Sequence, residues 1–151
     1  MKKKSERLKV IIDLHARQEQ DALQALGRCQ RKLLEQQAQL ENLQKYRQEY
    51  NQSFADRQRA GMNVGQLLEF RAFGDKLDKA IDGQQLAVST QEQDLLRARK
   101  FWEESHQRTK SLQNICDLSL VEELKAENRR EQIEQDARAA RLSRKDGIGN
   151  A

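Results

Sequence analysis

Apolar residues recur in the first part of the chain at alternating steps of three and four. With Ile12 at position a of a heptad, Ile12, Leu26, Leu33, Leu40 and Phe54 fall at a, and Ala22, Cys29, Leu43 and Tyr50 at d. His15, Glu19, Gln36 and Arg47 interrupt this seam. A stripe so narrow, with a 3.5-residue repeat, suits coiled-coil packing. The pattern stops at GMNVG, 61–65, where two glycines flank an asparagine, a strong turn signal. Asn63 followed by Gln66 resembles a capping box and predicts a second helical start. The second seam holds Leu67, Ile81, Val88, Leu95, Trp102 and Cys116 at a, and Phe70, Leu77, Ala98 and Leu112 at d. Gln84, Gln91 and Ser105 are its polar breaks.

A turn this short forces two helices antiparallel. The predicted fold class is therefore all-α, an antiparallel two-helix coiled-coil hairpin. It forms a single domain over 1–142, with helix one at about 5–58, a turn at about 59–64 and helix two at about 64–142. Ser119 and Glu122 could cap a fresh start, so a break is expected near 117–119. The stretch from about 120 onward has no partner in its own chain, and a disordered tail is expected over 143–151. Gly27, Gly74 and Gly83 lie inside the helices and weaken them.

Composition supports this picture. Charged residues make up 34% of the chain and hydrophobic ones only 36%, so a bulky core is out of reach. Such polarity can mean disorder, but a chain without a single proline, rich in helix formers and regularly spaced, points to long helices. No apolar run reaches the roughly 18 residues that a membrane span needs. Lys2, Lys3 and Lys4 are not followed by a signal-peptide core, because Asp13, His15 and Arg17 interrupt it. A cytosolic location is expected, with Cys29 and Cys116 as reduced, packed thiols.

Catalytic chemistry is not visible. There is no glycine-rich phosphate loop, and two helices cannot enclose the concave, partly dry site that an enzyme needs. His15 and His106 come near each other in an antiparallel hairpin, but no cysteine or carboxylate pattern completes a metal site. No cofactor is expected. The net charge of +4 is mild. Its basic residues gather toward the chain ends as Lys2, Lys3, Lys4, Arg7 and Lys9, and as Arg138, Arg141, Arg144 and Lys145. They can dock an acidic protein surface or simply keep the chain soluble. Nucleic acid usually recruits a denser basic patch or an aromatic platform, and neither is evident.

The two tyrosines sit in LQKYRQEY. Gln39, Leu43, Tyr46 and Tyr50 follow helical spacing, as do Phe73, Leu77, Ala80 and Gln84, and the turn makes the two rows neighbours. Tyr46, Phe73 and Ala80 fall at g, which widens the apolar surface beyond the seam. The aromatics can thicken the seam or form a partner surface, for which tyrosine is well suited.

A basic N-terminus, LxxYRxEY, a Gly/Asn turn, FxxFxxxLDKAI and a late KAENRREQ together resemble the FliJ family of flagellar export proteins, over nearly the whole chain. The resemblance implies a non-enzymatic stalk of the flagellar type III export apparatus, similar to the γ stalk of rotary ATPases. It also implies a peripheral place at the inner membrane without insertion. The partners implied are the export ATPase FliI, the export-gate protein FlhA and substrate chaperones. Gate binding would fall to Gln39, Leu43, Tyr46, Tyr50, Phe73, Leu77, Ala80 and Gln84, the last where some members carry histidine. ATPase-ring binding would fall to Lys2, Lys3, Lys4, Arg7, Arg138, Arg141, Arg144 and Lys145. The heptads by themselves also admit a self-associating coiled-coil scaffold.

Overall fold

The computed structural model describes residues 3–149. Lys2 lies outside them. Two helices account for nearly all of this span: α1, Lys4–Ala60, and α2, Val64–Gly149. They pack against each other as an antiparallel hairpin.

The reversal takes three residues. Gly61 ends α1 with φ of 100°, a left-handed conformation that a side chain would strain. Its N–H donates to the Gln58 carbonyl at 3.2 Å, closing the last turn tightly. Arg57 and Arg59 in that turn face the negative end of the helix dipole. Asn63 then caps α2: its Oδ1 accepts from Gln66 N–H at 2.8 Å, and Gln66 Oε1 accepts from Asn63 N–H at 3.3 Å. Two backbone donors that the helix start would otherwise leave open are thus paired reciprocally.

The heptad register read from the sequence holds along both helices. Every a and d position from Ser5 to Phe54, and from Leu67 to Glu123, is at least partly shielded from water, including the polar interruptions. The shielding stops after Glu123, where Ser5 of α1 meets it, and from 124 to 147 only Ala137 is partly covered.

The chain divides into two compact units, Glu19–Glu104 and the pair of segments Met1–Gln18 with Ser105–Ala151. The first has a largely apolar seam, with Ala22, Leu26, Leu77 and Val88 buried. In the second the buried residues are Ile12 and Cys116 together with three serines, Ser5, Ser105 and Ser119.

Two expectations change. Helix α2 passes through 117–119 without a break. Ser119 is buried at seam position d, as a small residue that lets the helices approach, and does not serve as a cap. The segment 143–149 continues as helix, in keeping with Arg144 and Lys145, which favour helix; the last two positions of the expected tail, 150 and 151, lie outside the described residues.

Candidate functional site

The aromatic rows near the turn separate into an inner and an outer set. Tyr50, at d, is turned into the seam. Its ring stacks on Phe70 at 5.2 Å between centroids with 26° between the planes, and meets Phe73 at 5.0 Å. Phe54 joins the group against Phe70 at 5.5 Å, and the Arg57 guanidinium caps the Phe70 ring at 5.1 Å. The Tyr50 hydroxyl donates to the Phe70 carbonyl at 3.1 Å. Partial removal from water raises the pKa of this phenol above its ordinary value. Leu77 is buried, at 7% exposure.

The outer set lies at the g positions, which flank the seam on one side. Tyr46 is 48% exposed and Phe73 40%; Gln39 and Ala80 are exposed with them. A shallow hollow of about 460 Å³ opens on this side, lined by Gln39, Asn42, Leu43, Tyr46 and Gln84. Four of the eight residues expected at a gate-binding surface therefore share one hollow. Gln84 is already engaged: its amide donates to the Gln36 side-chain oxygen at 2.7 Å and to the Gln36 backbone carbonyl at 2.9 Å.

Arg47, read from sequence as an interruption of the seam, has a definite task. Its Nε and Nη2 reach Asp78 Oδ1 and Oδ2 at 2.8 and 3.3 Å, and Nη1 reaches Asn51 Oδ1 at 2.6 Å. The guanidinium lies over Gly74, where an added Cβ would come within 3.1 Å of Nη1. Glycine leaves the space through which this cation crosses between helices. The sequence gives no sign of this arrangement within one helix, because its parts lie on both sides of the turn.

The basic residues are placed apart. Lys4 and Arg7 stand beside the start of the seam, exposed, and Lys3 just before it. Here Ser5 donates its N–H and its hydroxyl to Glu123 at 3.1 and 2.6 Å. Arg138, Arg141, Arg144 and Lys145 lie farther along α2, all exposed, about 22–33 Å beyond Glu123 at 1.5 Å per residue. Among the described residues no group of three His, Cys, Asp or Glu side chains is gathered as a metal site requires.

Both interhelical carboxylates titrate below their ordinary values, Asp78 through its hydrogen bond from Arg47 and Glu123 through those from Ser5. A carboxylate whose pKa is depressed by folding stabilises fully above its unfolded pKa, and that contribution disappears as pH falls through the folded value. The thermal unfolding midpoint should therefore be flat above about pH 5 and fall below about pH 4. Asp78→Asn should shrink the acid-dependent part, as circular dichroism melts across this range would show.

Comparison with known proteins places the whole hairpin. A family model described as "Flagellar FliJ protein" matches residues 3–147. The chain is 29% identical over 136 residues to the flagellar FliJ protein of Salmonella typhi, covering 90% of this chain and 92% of that one. It is 30% identical over 138 residues to the flagellar FliJ protein of Escherichia coli K12, with the same coverage.

Proposed function

The chain belongs to the FliJ family of flagellar export components, and from that premise we propose that it is a non-enzymatic stalk linking the export ATPase FliI to the export gate FlhA. It would also handle emptied substrate chaperones. The observation that carries the gate contact is the exposed g-side surface, where Tyr46 lines the hollow with Gln39, Asn42, Leu43 and Gln84, and Phe73 is exposed at the same heptad position farther along. A ring and an aliphatic floor beside polar amides suit a protein partner, because the rings bury well at small entropic cost. Tyr50 and Leu77 support this surface from beneath, and Ala80 extends it. Lys3, Lys4 and Arg7, with Arg138, Arg141, Arg144 and Lys145, offer positive charge to an acidic ring lumen along an extended stretch. Among the described residues no helix is long and apolar enough to cross a membrane, which fits peripheral attachment at the inner membrane through such contacts.

The test separates surface from fold. Tyr46→Ala combined with Ala80→Glu should weaken binding to the cytoplasmic part of FlhA by about tenfold or more, the range of an interface hot spot. Helicity and stimulation of FliI should stay near wild type. Isothermal titration and ATPase assays on the same preparation decide the matter. Unchanged gate affinity in a folded double variant would overturn the assignment.

A further inference from the structure

The seam of α2 outlasts its partner. α1 begins at Lys4, beside Glu123, yet α2 runs on through 124–149, about 39 Å of helix at 1.5 Å per residue. The heptad register continues along it without a shift: Ala126, Ile133 and Ala140 at d, and Arg130, Ala137 and Arg144 at a. Ile133 is 68% exposed on this face.

We propose that this segment pairs antiparallel with the same segment of a second copy, continuing the intrachain seam. The orientation follows from packing. In a parallel pair each molecule's own α1 would stand in the path of the other copy, and Arg130 would face Arg130. In the antiparallel pair the second copy's helix ends where α1 begins, so it extends the line of α1 along the same face of α2. Ile133 then packs on Ala137 of the second copy, Arg130 on Ala140, and Arg144 on Ala126, each layer occurring twice. Each arginine stem lies over an alanine and its head can reach water. On the e side, where antiparallel helices oppose like positions, Glu127 meets Arg141 of the second copy twice. Glu134 and Asp136 meet their own counterparts at the two-fold axis. Those like-charge contacts and the alanine-rich core make the association weak and reversible. It does not depend on the gate and ATPase reading above.

Sedimentation equilibrium of the full chain tests the pairing. A monomer–dimer equilibrium is expected over about 1–200 µM, the range of a weak complex. Glu127→Arg or Arg141→Glu alone should raise the dissociation constant about tenfold, through two lost pairs and the repulsion that replaces them. The two changes together should restore it. In a chain carrying Cys29→Ser and Cys116→Ala, Glu134→Cys should oxidise to a covalent dimer, because position 134 faces itself only in the antiparallel pair. A monomer at every concentration would overturn the proposal and leave the segment to a foreign helix. So would a dimer indifferent to the charge exchange, or one that crosslinks through Ile133→Cys and not through Glu134→Cys.

Discussion

Replacing Tyr50 with alanine is expected to destabilise the hairpin by about 2–4 kcal/mol, the range for removing a large, partly buried ring with its aromatic partners. Three consequences are combined in that figure. The stack on Phe70 is lost, the contact with Phe73 is lost, and a gap opens beside Phe54. Tyr50→Phe should cost only about 1 kcal/mol, because it removes the hydrogen bond to the Phe70 carbonyl and keeps the ring. Tyr46→Ala should change stability by less than about 1 kcal/mol, since the residue is already about half exposed. Urea unfolding followed by circular dichroism can rank the three. Equal losses at Tyr46 and Tyr50 would contradict the division into an inner and an outer set. The same contrast governs how partner binding is read: substitution at Tyr50 weakens any contact through the fold, whereas substitution at Tyr46 does not.

The second large effect has the opposite sign. Gln36 and Gln84 both occupy d positions, and the Gln84 amide donates to the Gln36 side-chain oxygen inside the seam. Changing both to leucine should stabilise the hairpin by about 1–3 kcal/mol, because an apolar layer gains from burial and loses no partner. Gln84→Leu alone should gain little or lose up to about 1 kcal/mol, since it leaves the Gln36 amide without its donor. A double-mutant cycle should therefore show coupling between the two positions. Additive effects would mean that the amide contact contributes nothing. The polar layer also restricts which helices the seam accepts. Light scattering on the double variant should accordingly show more self-association than wild type at equal concentration.

Much of this architecture can be read from residue spacing. Two choices of register, Ile12 at a in the first helix and Leu67 at a in the second, predict the shielded positions through Glu123, and the Gly-Asn signal locates the reversal. The capping box at Asn63 forms with both of its reciprocal bonds. What spacing does not reveal are interactions completed across the turn. Arg47 looks like a flaw until Gly74 and Asp78 are brought opposite it. Ser119 looks like a cap because small polar residues serve both as caps and as seam fillers, and only the neighbouring helix distinguishes the two. The aromatic rows were legible as neighbours. Which rings turn inward depends on the d or g position of each, and a helical stripe read as one surface blurs that difference.

The pairing around Ser5, where Ser119 and Cys116 are also buried, has a consequence for how the molecule opens. Lifting only the first turn of α1, short of Leu8 and Ile12, uncovers the Ser5 and Ser119 hydroxyls and the Glu123 carboxylate, so that end can begin to unzip without exposing much oil. Cys116, only 1% accessible and with its thiol pointed at the Ser5 carbonyl, is sealed while that turn is docked and reachable once it lifts. The rate at which an alkylating reagent modifies it is thus a built-in clock for breathing at the open end of the hairpin.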